Sequence, residues 1–133
     1  MHETDIDTIR ASYAALNEGD LQGTLNALHR DASWHESPEL PGGDVFEGRA
    51  AIEEFLEGYL EQWDLFHQQV TSTVRSGDRV LVNIRMTAVG RESGAEVNAI
   101  YAHLWTMREG RGVRVDAYYD PSRALEELEG AEG

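Results

Sequence analysis

Neither cysteine nor lysine occurs anywhere in the chain, and the two absences remove whole branches of chemistry. Without Cys there is no thiolate nucleophile, disulfide, zinc knuckle or iron–sulfur cluster. All eleven basic residues are Arg, so no side chain can form a Schiff base, which excludes ordinary pyridoxal phosphate and aldolase chemistry. Long apolar runs are missing too: none approaches the ~18 residues of a membrane span. The opening segment Met1-His-Glu-Thr-Asp-Ile-Asp7 has neither a basic nor an apolar stretch. No secretory signal is therefore expected, and the expected location is cytoplasmic.

The residues that are present describe one domain over 1–133, with 41% hydrophobic content and three Trp. A chain of this size buries about 65–70% of its unfolded surface, enough for a real core. The net charge of −14 repels phosphate backbones and anionic lipid, so neither nucleic acid nor a membrane is an expected partner. Solubility accounts for the acidity more simply than a cationic partner does.

Hydrophobic spacing then orders the elements. Thr4 and Asp7 have the spacing of a capping box, followed by Ile6, Ile9, Tyr13 and Leu16 on one helix face. Gly19 suits a left-handed C′ position and Asp20 the next N-cap, before a short helix carrying Leu21, Leu25 and Leu28. In Arg30–Ser37 the residues alternate as in a strand: Ala32, Trp34 and Glu36 on one side, Ser33, His35 and Ser37 on the other. Pro38–Asp44 is a loop by composition. Ile52, Phe55, Leu56, Tyr59, Leu60 and Trp63 form a helical stripe with Glu53, Glu54, Glu57 and Glu61 opposite, an acidic row that reads as a solvated face. Four strands follow at Phe66–Val74, Val80–Val89, Glu96–Met107 and Val113–Tyr119, separated by turns. Asp120-Pro121 then starts a short helix with Ala124, Leu125 and Leu128 on its apolar side. The class is α+β, with helices gathered on one face of a mostly antiparallel sheet.

This order, with Tyr13-Ala-Ala-Leu-Asn-Glu-Gly-Asp-Leu21, Asp31-Ala-Ser-Trp-His35, Gly48-Arg-Ala-Ala-Ile52, Ala102-His-Leu-Trp-Thr-Met-Arg-Glu-Gly110 and Tyr118-Tyr-Asp-Pro-Ser-Arg-Ala-Leu125, resembles the SnoaL-like branch of the NTF2-like superfamily. The resemblance implies a cone: a strongly curved sheet wrapped round a pocket and closed by helices, often a homodimer through the sheet's outer face. Ketosteroid isomerases resemble the chain through the first of these segments and the strand after it. On that match the isomerase base falls at Glu36, its oxyanion-hole Tyr at Ser12 and its protonated Asp at Ala102, so one role of three survives. In SnoaL-type polyketide cyclases the acid/base residue ends the last long strand, and the similar position is Asp120, helped by His103 or His35.

Each candidate carries a duller explanation. Glu36, beside Trp34, becomes a general base if it faces a dry cavity, because burial favours the protonated carboxyl; facing water, it is an ordinary strand-end Glu. Asp120 before Pro121 is what helix capping alone would select. His103 either meets a substrate oxygen or sits on the outer face of the sheet. His35 alternates with Glu36 and should point away from it. Arg85 clamps an anionic substrate or, more simply, pairs with Asp116. Trp34, Tyr13, Tyr59, Trp63, Tyr101, Trp105 and Tyr118 are candidates to line the pocket, or are plain core. No His-Glu-x-x-His, phosphate loop or nucleophile elbow is present, so no metal or cofactor is expected. The expectation is a cofactor-free acid/base enzyme (isomerase, cyclase, hydrolase or hydratase) acting on an apolar, ring-containing or polyketide-like molecule. The alternative is a ligand-binding or dimeric interaction module without catalysis.

Overall fold

The computed structural model describes residues 2–38 and 43–130. Its elements are α1 (His2–Asn17), α2 (Leu21–Leu25), β1 (Leu28–Glu36), β2 (Val45–Glu47), α3 (Arg49–Leu60), β3 (Trp63–Ser76), β4 (Arg79–Gly90), β5 (Glu96–Arg108), β6 (Arg111–Tyr118) and α4 (Pro121–Gly130). The strands form one sheet in the order β2-β1-β6-β5-β4-β3. All neighbours are antiparallel except β1 and β6, which run parallel. Register shifts interrupt β1–β6, β3–β4 and β5–β6. Such irregularities bend and twist a strand locally, and here they accompany the curvature that turns the sheet into a cone.

The expected class and cone hold, with local corrections. α1 already includes Thr4, so Thr4 and Asp7 do not form a capping box at its start. Leu28 opens β1 and Trp63 opens β3, each on the strand side of a boundary placed inside a helix from spacing alone. The three residues of β2 are an added edge strand, too short to show an alternation. Part of the Pro38–Asp44 loop lies outside the described residues. Asp20 caps α2 as expected, accepting from the Gly23 N–H at 2.9 Å.

Two apolar clusters explain the layering. Inside the cone, Ile9 and Tyr13 of α1, Leu25 of α2, and Ile52 and Leu56 of α3 pack on Val80, Val82 and Ile84 of β4 and on Trp105 and Val115. Outside it, Ala124 and Leu128 of α4 cover Leu81, Ala102, Leu104 and Tyr118, so the helices are not all gathered on one face as expected: α4 lies opposite the other three. Burying Leu128 contributes about 2 kcal/mol to holding α4 down. Asn17, at the end of α1, is clamped to β3: its amide donates to the Gln68 carbonyl and accepts from the Gln68 N–H, both at 2.8 Å. The Glu54, Glu57 and Glu61 side of α3 is exposed, a solvated face as its spacing implied.

Candidate functional site

Between the helices and the inner face of the sheet lies a cavity of about 180 Å³. That exceeds the ~150 Å³ apolar void known to accept benzene. Its wall comes from α1 (Ser12, Tyr13, Leu16), β1 (Trp34, Glu36), α3 (Phe55, Leu56, Tyr59), β3 (Phe66, Gln68) and β5 (Tyr101, His103, Trp105). Tyr119 also touches it and is 62% exposed, which places the rim there.

Strand alternation delivers these side chains. Ala32 and Trp34 turn into the core and Glu36 into the cavity, while Ser33 and His35 turn outward and bond to each other at 3.0 Å. Trp34 Nε1 donates to Glu36 Oε2 at 2.7 Å. The backbone of this strand end is held on two sides, Glu36 N to the Asp44 carbonyl at 2.8 Å and Ser37 N to the Ala117 carbonyl at 2.9 Å. Ser37 has φ +53° although it is not Gly, a conformation that costs on the order of 1 kcal/mol or more and persists only where neighbours impose it. Gly43 is one such neighbour: a Cβ there would lie 2.4 Å from the Glu36 carbonyl oxygen and 2.7 Å from that of Ser37.

On β5, Tyr101, His103 and Trp105 face inward, and Ala102 and Leu104 lie beneath α4. The position matched to the isomerase's protonated Asp, Ala102, is thus on the wrong face, and His103 takes the inward place. The Tyr13 hydroxyl bonds to His103 Nδ1 at 2.6 Å and accepts from Trp105 Nε1 at 2.9 Å. Trp105 keeps its place because residue 112 is Gly, where a Cβ would meet the indole at 2.7 Å. Burial pushes the His103 pKa down to about 3 and raises that of the Tyr13 phenol, so both are neutral at pH 7. Tyr101 and Tyr59 are also raised, chiefly by burial, with the Glu36 carboxylate adding to the effect on each. Gln68 donates through Nε2 to the Tyr101 hydroxyl, and its Oε1 is buried with no hydrogen-bond partner among the described residues.

The remaining candidates fall elsewhere. Asp120 is exposed, does not line the cavity, and accepts from the Ser122 N–H at 3.0 Å and hydroxyl at 2.7 Å, the geometry of a cap on α4. Arg85 is exposed on the outer face opposite Gln69 and Ile100. Its proposed partner Asp116 is instead gripped by Arg114, with contacts of 2.9–3.2 Å. Trp63 packs against Tyr59 and Phe66 rather than lining the cavity, and Tyr118 touches the wall while packing with the α4 cluster. Gln68 was missed, although its inward register between Phe66 and Val70 was readable as a lone polar residue on an apolar face. Among the described residues no group of three or more His, Asp or Glu could hold a metal, and no helix is long and apolar enough to cross a membrane.

A family model described as the SnoaL-like domain matches residues 9–115. The chain belongs to this family. Among solved structures, the SnoaL-like chain is similar to TerC co-crystallised with polyporic acid, at 28% identity and a TM-score of 0.77 over 94% of this chain and 97% of that one. It is also similar to Bal32a from a soil-derived mobile gene cassette, at 26% identity and a TM-score of 0.76 over 95% and 96%. A putative polyketide cyclase from Xanthomonas campestris pv. campestris shares the fold at 22% identity, with a TM-score of 0.71 over 95% and 97%. No curated protein sequence matches the chain.

Proposed function

We propose that this SnoaL-like protein binds a small, apolar, ring-containing molecule bearing a carbonyl-type oxygen and transfers a proton on it without a cofactor. One observation carries the reading: among the described residues Glu36 is the sole carboxylate lining an aromatic-walled cavity, and it sits there with a neutral imidazole, His103. Glu36 would take the proton from the carbon next to the carbonyl. The C–H electron pair becomes a C=C bond, and the carbonyl π pair moves to oxygen as an enolate, which neutral donors in the wall stabilise. Return of the proton to the same or another carbon completes an exchange or an isomerisation. Aromatic walls keep water out and strengthen each polar contact. The co-crystallisation of the TerC relative with polyporic acid supports a small-molecule ligand. Asp120, exposed and committed to its cap, is assigned no step.

The test uses 2-tetralone, an apolar cyclic ketone with an acidic C–H. Deuterium uptake from D2O is followed by NMR above the buffer rate. The chain should accelerate exchange and Glu36→Gln should abolish the acceleration; equal rates in both proteins would remove Glu36 from the chemistry. The second reading, a binding module without turnover, draws on the bonds that Glu36 and His103 already make to Trp34 and Tyr13. It predicts saturable 2-tetralone binding with exchange at the buffer rate.

A further inference from the structure

Trp105 Nε1 can only donate, so the Tyr13 oxygen accepts at that contact. The Tyr13 proton then has one partner among the described residues, His103 Nδ1 at 2.6 Å. The opposite arrangement, with Tyr13 accepting from both rings, would leave a phenolic proton buried without an acceptor, which costs about 1–3 kcal/mol. His103 Nδ1 is therefore the acceptor, and its single proton is left on Nε2, on the edge of the ring turned from Tyr13. Nε2 makes no hydrogen bond among the described residues, and His103 is one of the residues that line the cavity. The ring cannot easily turn over. It is stacked on Tyr13 with centroids 5.8 Å apart, meets Trp34 edge-on at 5.0 Å and lies 5.3 Å from Tyr101.

We propose that Tyr13 is a positioning residue that holds His103 as its Nε2–H tautomer, so that the cavity presents a neutral imidazole N–H to an acceptor oxygen of the ligand. This rests on the proton-transfer reading for its use but not for its truth, because the tautomer belongs to the free protein. A neutral donor gives the site a preference. A ketone oxygen, which only accepts, is matched, and it gains most as negative charge develops on it, whereas an ammonium group has nothing to offer the same N–H. It also divides labour between the carboxylate and the imidazole of the inner wall: Glu36 moves the proton, and His103 holds the oxygen without gaining or losing one.

The experiment is 15N NMR of the imidazole side chains in the full chain at pH 7, with His103 assigned by the signals lost in His103→Gln. The expected wild-type pattern is an unprotonated Nδ1 and a protonated Nε2, and the reverse pattern overturns the proposal. Tyr13→Phe keeps the ring and removes the hydroxyl; the two nitrogens should then move toward averaged positions, and an unchanged pattern would also overturn it. Because the wild-type spectrum decides the tautomer unaided, a variant that fails to fold does not shelter the idea. A ligand arm adds 2-tetralone or tetralin, which lacks the oxygen. Only 2-tetralone should shift Nε2, and Tyr13→Phe should bind it at least about five-fold more weakly while tetralin is unaffected. Equal shifts from both molecules would remove the donor role. If the tautomer is as stated but Glu36→Gln exchanges normally, the general base alone is wrong.

Discussion

The Trp34 indole N–H donates to Glu36 Oε2 across 2.7 Å, from two residues away on the same face of β1. One strand thereby supplies both a carboxylate and the group that aims it. A hydrogen bond to a charged acceptor contributes about 1.5–3 kcal/mol, and Trp34→Phe removes it while keeping an aromatic ring in place. Glu36-dependent exchange of 2-tetralone should fall roughly ten-fold, the equivalent of about 1.4 kcal/mol in positioning. Full activity in Trp34→Phe would show that the bond is structural only.

His103 makes stability depend on pH. Its folded-state pKa of about 3 lies below the ordinary 6.5 because burial opposes the imidazolium. As pH falls, the unfolded chain therefore takes up this proton first. The contribution is complete above 6.5 and is lost progressively toward 3. Two pH units into that window the loss is roughly 2–3 kcal/mol. Urea unfolding of wild type and His103→Gln at pH 7 and pH 4.5 measures it, since every other ionisable group is common to the two proteins. The wild type should lose more stability by about that amount, and parallel losses would show that the imidazole is hydrated.

Much of this was legible because period-two alternation is a strong constraint. Once β1 and β5 were strands, Glu36 had to oppose His35, and His103 had to share a face with Tyr101 and Trp105. What alternation lacks is the sign of the face: nothing local says whether 101, 103 and 105 or 102 and 104 look inward, and the isomerase match at Ala102 fell on the outward set. Boundaries failed where a helical stripe ran on into a strand, at Leu28 and Trp63, because an apolar residue at the junction satisfies both periods. The Tyr13–His103 bond spans ninety residues of sequence, and no local pattern encodes a contact made only when α1 lies across β5.

Asp120 separates capping from chemistry. Its carboxylate accepts two bonds from Ser122, and these hold its pKa below the usual Asp value. Asp120→Asn keeps an N-cap acceptor and should leave both exchange and the melting temperature nearly unchanged. Asp120→Ala should lower the melting temperature slightly, again without altering exchange. Loss of exchange in Asp120→Asn would return this residue to the mechanism.

The outer face of β3–β5 beyond α4 is where a homodimer through the sheet would form. Ile100 stands on it 64% exposed, opposite Arg85. Light scattering coupled to size exclusion should report a dimer for the wild type and a monomer for Ile100→Glu, which sets a charge in the middle of that face. A wild type that is monomeric at all accessible concentrations would rule the arrangement out.

Asn17 ties the wall of the cavity to the helix that roofs it. Its side chain satisfies both the N–H and the carbonyl of Gln68, each at 2.8 Å, and Gln68 in turn donates to the Tyr101 hydroxyl. Asn17→Ala leaves two partly buried backbone groups to find water, a cost of about 2 kcal/mol or more. Asn17→Asp keeps one acceptor but puts a carboxylate against the Gln68 carbonyl and should be no better. Both variants should unfold at lower urea concentration with an unchanged m-value. Because Gln68 would then no longer be fixed against Tyr101, 2-tetralone binding should weaken beyond what the fraction unfolded explains. Binding that scales only with the folded fraction would mean that the β3 wall holds its shape without α1, and that Asn17 serves stability alone.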